Sequence, residues 1–150
     1  MSAIDRTRRK VLAGLGALVL ARPVAATPEE MAEAIKAFTG GVVPRPGRVV
    51  LEVAPLVDNG NTVPITVRVE SPMTAGDHVA AIAVFNERNP DTGVAVFTLG
   101  PRAGKAEVST RIRMATSQKL VAVARMSDGS CWLHSAEVVV ILAACIEAVT

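Results

Sequence analysis

The amino-acid sequence predicts an all-β protein, an immunoglobulin-like antiparallel β-sandwich with a short N-terminal helix. About seven short apolar runs rich in Val and Ile recur at regular spacing between residues 49 and 142, the rhythm of a two-sheet sandwich. The stretches between them carry turn chemistry, including Asp58-Asn59-Gly60-Asn61, Gly100-Pro101-Arg102-Ala103-Gly104 and Asp128-Gly129. Ahead of them, Met31, Ile35 and Phe38 repeat at helical spacing. The Cys-Trp-Cys arrangement of antibody domains is absent, so the likeness is one of architecture.

The helix starts at Thr27-Pro28-Glu29-Glu30. Thr27 suits the cap, Pro28 the first helical position, and Glu30 completes a capping box. Met31, Ile35 and Phe38, with Ala32 and Ala34 beside them, form a face that must dock on something, and Gly40-Gly41 ends the helix. Residues 49–53 form the first strand. Residues 63–70 form the second, with Ile65, Val67 and Val69 on one face. Residues 79–85 follow, then the polar loop 86–93, then strands at 94–99 and 106–113. In the last of these Glu107, Ser109, Arg111 and Arg113 alternate with Val108, Thr110 and Ile112, which predicts one wet face. Strands at 119–125 and 131–142 flank Asp128-Gly129, a hairpin signal.

Residues 1–26 read as an export leader and not as fold. Arg6, Arg8, Arg9 and Lys10 precede a ten-residue apolar stretch (residues 11–20), and Val24-Ala25-Ala26 supplies small residues for cleavage after Ala26. Ten apolar residues fall short of the roughly 20 that span a bilayer, so no stable membrane anchoring is expected. Thr7-Arg8-Arg9-Lys10-Val11-Leu12 looks like a twin-arginine signal, which predicts a periplasmic protein. Cleavage there would leave the Thr27 cap at a free N-terminus, where fraying is expected. The leader holds five of the 16 basic residues and one of the 14 acids, which leaves 11 basic and 13 acidic residues, a net of −2. Without a basic patch or interleaved aromatics, nucleic-acid binding has no support. No repeat, linker or low-complexity tract divides the rest. Residues 27–142 make one domain, and 143–150 a C-terminal arm.

That arm carries Cys145, in Ala143-Ala144-Cys145-Ile146-Glu147. A thiol just past the last predicted strand is well placed as a covalent attachment point, a mixed-disulfide partner or a thiolate nucleophile. The plainer reading tucks it against the domain. A bridge to Cys131 is disfavoured by spacing: about 3.3 Å per residue along one strand separates the two by roughly 45 Å, against about 7 Å between Cα atoms in a disulfide. Cys131 reads as a small, partly buried residue near a turn. His78 and His134 lack a second ligand at metal-binding spacing, and Cys131 and His134 fall on opposite strand faces. Met73, Met114 and Met126 read as core or loop residues and not as a copper set. The residues call for no metal, no cofactor and no catalytic constellation, so an enzyme is not expected.

Several polar, loop-rich stretches nonetheless resemble one family. They are Asp58-Asn59-Gly60-Asn61-Thr62-Val63-Pro64-Ile65, Ser71-Pro72-Met73, Ile82-Ala83-Val84-Phe85-Asn86-Glu87-Arg88-Asn89-Pro90, the segment from Ser109 through Gln118, and Met126-Ser127-Asp128-Gly129. Together they resemble the SoxY family, the sulfur-carrier subunits of thiosulfate oxidation. The resemblance implies an immunoglobulin-like sandwich paired as a heterodimer with a SoxZ-like subunit. It also implies a cysteine arm that carries sulfur intermediates between periplasmic redox enzymes, and it places the carrier cysteine at Cys145. Family members carry Gly-Gly-Cys-Gly-Gly where this chain has Ala143-Ala144-Cys145-Ile146-Glu147. The glycine freedom is lost, Ile146 adds a β-branched side chain, and Glu147 favours the neutral thiol. A pocket shaped for a bare glycine tip should reject this arm; a wider or cognate partner would accept it. The leading expectation is a carrier loaded on Cys145. The alternative is a non-covalent interaction module that has lost carrier chemistry.

Overall fold

The computed structural model describes residues 25–141. Residues 1–24, Leu142 and the whole arm 143–150 with Cys145 lie outside the described residues.

Helix α1, Pro28–Thr39, is closed by the predicted capping box. Thr27 Oγ1 accepts from the Glu30 N–H at 3.2 Å and Glu30 Oε2 accepts from the Thr27 N–H at 3.0 Å. Gly40 ends the helix at φ 65°, a left-handed value that glycine adopts without a Cβ penalty. The strands are β1 (Arg45–Pro46), β2 (Val49–Val53), β3 (Leu56–Val57), β4 (Val63–Val69), β5 (Val79–Asn86), β6 (Gly93–Thr98), β7 (Glu107–Ile112), β8 (Gln118–Met126) and β9 (Cys131–Val140).

One sheet runs β9-β8-β5-β6 and the other β2-β4-β7, all antiparallel. Their facing sides make the main core: Leu51, Val63, Val67, Val79, Ile82, Leu120, Met126 and Val138, with Met73 and Met114 closing it from loops. The β4 burial alternates strictly, as the sequence periodicity requires. Strands β5 and β8 are instead buried on both faces. The cause is α1, whose Met31, Ala34, Ile35 and Phe38 cover Ala83, Phe85, Val121 and Val123 on the outside of the larger sheet. Phe38 meets Phe85 edge-on at 6.0 Å. The molecule is thus a helix laid on a sandwich, and the helix face that had to dock docks there.

Two short strands were not expected. Strands β1 and β3 pair in parallel with the two ends of β9, Arg45 opposite Trp132 and Leu56 opposite Val139. They cover an edge that would otherwise be open along its length. Two-residue strands have no periodicity to read.

Candidate functional site: the root of the cysteine arm

Strand β9 runs from Cys131 to Val140 and its pairing with β8 has no register shift, so Cys131 and the arm leave from opposite ends of one rod. Cys131 is 1 % exposed and unpaired, more deeply buried than its position by a turn suggested. Burial pushes its thiol up; Arg125 works in the other direction and Asp128 adds to the rise. A buried neutral thiol is a poor nucleophile. Cys145 lies outside the described residues, four positions beyond Ile141.

What the structure does define is the root from which that cysteine hangs. The β8–β9 ladder stops at Gln118 opposite Val138. From there the Ser117 hydroxyl substitutes for a backbone partner: its Oγ accepts from the Val140 N–H at 2.9 Å and donates to the Val140 carbonyl at 3.4 Å. On the other side, the Val139 N–H donates to the Pro55 carbonyl at 2.9 Å and the Ile141 N–H to the Val57 carbonyl at 2.8 Å. Every backbone N–H from Val139 to Ile141 is therefore held. The root is rigid up to the last described residue.

Beneath it sits Gly60. The Met114 N–H donates to its carbonyl at 2.7 Å. A Cβ on Gly60 would collide with the Met114 carbonyl oxygen and stand 3.1 Å from Val140 Cγ1. A shallow cavity of about 230 Å³ opens there, bordered by Asp58, Asn61, Met114 and Ile141. The segment that carries Ser117 is tied down by Asn89. Its Nδ2 donates to the Arg113 carbonyl at 2.7 Å, and its Oδ1 accepts from the Ala115 N–H at 3.0 Å and Gln118 Nε2 at 2.7 Å. Gln118, 3 % exposed, in turn accepts the Arg88 N–H on Oε1 at 2.9 Å.

These are the motifs that carried the family resemblance, and their roles are structural. Met73 sits at φ 51° with its sulfur accepting the Val79 N–H at 3.5 Å. Asp128 and Gly129 shape the β8–β9 hairpin, where the Met126 N–H donates to the Ser130 carbonyl at 2.8 Å. Pro55, Val57 and Ser117 were not singled out from the sequence as root contacts. Ser117 lay within a quoted motif, but nothing in a lone serine says which strand it will cap.

The remaining candidates are not brought together. His134 accepts the Leu51 N–H on Nδ1 at 2.8 Å, while His78 Nδ1 meets the Thr74 carbonyl at 3.0 Å. Among the described residues no three His, Cys, Asp or Glu side chains cluster to hold a metal.

Solved structures share this fold. The sulfur carrier protein SoxY from Chlorobium limicola f thiosulfatophilum is 29% identical with a TM-score of 0.61, over 72% of this chain and 89% of that one. A putative superoxide reductase from Thermotoga maritima is 22% identical with a TM-score of 0.54, over 62% of this chain and 85% of that one. The superoxide reductase of Ignicoccus hospitalis is 14% identical with a TM-score of 0.58, over 79% of this chain and 96% of that one. At those identities the two reductases show the sandwich fold alone. No curated protein sequence matches this chain at comparable significance. The family model for sulfur oxidation protein SoxY matches residues 35–145, from within α1 to Cys145 itself. This chain belongs to the SoxY family.

Proposed function

We propose that this protein is a periplasmic sulfur carrier, not itself a catalyst, that holds a sulfur-containing intermediate covalently on Cys145. The observation that carries the reading is the root: a fully bonded strand end with the family match reaching the cysteine four residues beyond it. An extended chain covers at most about 3.3–3.6 Å per residue, so four residues bound the distance between the Cα atoms of Ile141 and Cys145 at about 14 Å. A carrier needs that pairing of a fixed base with a short reach.

Loading such a thiol with thiosulfate is a two-electron oxidation. The sulfur–sulfur bond forms, the thiol proton leaves, and a partner redox enzyme takes both electrons. The chain needs no cofactor of its own for this step. A SoxZ-like subunit is the partner expected beside it. Export and cleavage after Ala26 would remove the bond from the Ala26 N–H to the Asn89 carbonyl at 3.2 Å, in keeping with the fraying expected of the cap, and the new Thr27 ammonium beside Glu30 would offset part of that loss.

The test is intact-protein mass spectrometry of material purified from native periplasm, with the Cys145→Ser variant beside it. The expected result is a sulfur adduct on the mature chain that the variant lacks, together with impaired sulfur oxidation. An unmodified Cys145 and a variant with unchanged sulfur metabolism would leave the non-covalent module as the better account. The replacement of the family's glycines by Ala143, Ala144, Ile146 and Glu147 is what favours that second reading.

A further inference from the structure

Three of the four sheet edges are closed or protected. Strands β1 and β3 cover β9, and the Leu51 N–H of β2 is taken by Nδ1 of His134. Strand β7 carries the exposed charges of Glu107 and Arg111, which discourage a further strand. Strand β6 has none of these devices. No charged residue or proline occurs from Thr92 to Gly100, and the pairing with β5 is regular from Ala95 to Thr98. The Leu99 N–H donates to the Ala80 carbonyl at 2.9 Å, which sets the phase of that ladder. Bonded residues alternate along an antiparallel strand. Ala95 and Phe97 therefore face β5, while the N–H and C=O groups of Val96 and Thr98 point outward. No strand among the described residues takes them up. Val96, 63% exposed, lies at the middle of this open edge.

We propose that the occupant of this edge is β6 of a second copy, paired antiparallel about a two-fold axis at Val96. That register places Val96 opposite Val96, Ala95 opposite Phe97 and Val94 opposite Thr98, with no like charges facing. The two Val96 residues exchange both backbone bonds at the centre and cover each other's side chains. The ends select the direction. Exposed Asp91 precedes the strand and exposed Arg102 follows it, so antiparallel pairing brings acid towards base at both ends. The larger sheets of the two copies then run on as one, β9-β8-β5-β6-β6-β5-β8-β9. Seven strand spacings of about 4.8 Å set the two β9 strands about 34 Å apart. Each copy keeps its own arm root clear of the contact. One strand pair makes a small interface, so the dimer is reversible, with a Kd of about 10–100 µM.

Sedimentation velocity of the purified protein measures the association, with reductant present so that no Cys145 disulfide forms. The expected result is a monomer–dimer equilibrium in which the dimer predominates at about 500 µM. Val96→Lys sets two ammonium groups face to face and should weaken it about tenfold. Val96 is exposed, so this variant keeps its fold, which an unchanged thermal midpoint reports. Val50→Lys adds the same charge on the smaller sheet, at a valine 44% exposed, and should leave the dimer intact. Hydrogen exchange in residues 94–98 should slow as the concentration of the unaltered protein rises, a readout that needs no variant. A monomer at every concentration overturns the inference, as does a dimer that Val96→Lys leaves unchanged or Val50→Lys weakens equally. Protection of residues 94–98 that appears only with an added partner subunit overturns it too, and assigns the edge to that subunit. The inference does not rest on the carrier reading, which the adduct mass tests separately.

Discussion

The Leu51 N–H, on the edge of the smaller sheet, donates to Nδ1 of His134 in β9 of the larger one at 2.8 Å. Leu51 pairs with Val67 on its other side, so this N–H points out of its own sheet and has no strand to meet. A side chain from the opposite sheet closes the sandwich where the two edges approach. The bond needs Nδ1 as acceptor, so the ring proton of neutral His134 resides on Nε2.

His134→Leu should therefore cost about 1 kcal/mol by orphaning the Leu51 N–H, at the low end of such penalties because the histidine is exposed. His134→Asn places an amide oxygen near the same position and should recover most of it. Urea denaturation of both variants reads the difference. Equal losses would mean that the contact contributes through packing alone.

Gly60→Ala pushes a methyl group into the Met114 carbonyl and against Val140. Backbone cannot yield as a flexible side chain does, so a loss of about 1–3 kcal/mol is expected, the range of overpacked cores. Because Gly60 lies beneath the arm root, hydrogen exchange at Val140 and Ile141 should speed up in the same variant. A thermal scan and exchange mass spectrometry check the two effects.

Asn89→Ala removes three hydrogen bonds at once and leaves Gln118 Nε2 buried without its partner. A cost of about 2–3 kcal/mol is expected, more than for an exposed asparagine, because an unsatisfied buried donor carries its full desolvation penalty. Asn89→Asp keeps the acceptor oxygen for Ala115 and Gln118 but loses the donor to Arg113. It should fall between the two in denaturant midpoint.

Cys131 should make stability fall in alkali. Its folded-state thiol is raised above the ordinary value of 9.0 by burial, so the folded chain keeps its proton where the unfolded chain has lost it. The contribution is complete below the unfolded pKa and is lost as pH climbs through the folded one. Cys131→Ala should flatten that alkaline limb of the stability curve while leaving its level near pH 7 governed by packing alone. Denaturation midpoints between about pH 7 and 10 measure the slope.

The strands legible in the sequence were those with a period. Val63–Val69 alternates because one face meets the core and the other meets water, and that contrast is written in the residues. The helix was legible for the same reason, through Met31, Ile35 and Phe38, and its cap through Thr27 and Glu30. Strand β5 showed as an apolar run, but that it is buried on both faces depends on α1 lying across it. The parallel strands β1 and β3 were not legible, since two residues hold no pattern and their pairing is set by where β9 passes.

By itself, then, the sequence determined the sandwich, its capped helix, the family, and a cysteine placed past the last strand. Local periodicity and residue identity suffice for those. Only the tertiary structure decided that the resemblance motifs are scaffold, that Ser117, Pro55 and Val57 hold the arm root, and that Leu56, Val139 and Ile141 meet in one exposed patch. The last two of those facts join residues more than 20 positions apart in the chain. Such meetings come from strand order and register, which no local pattern encodes.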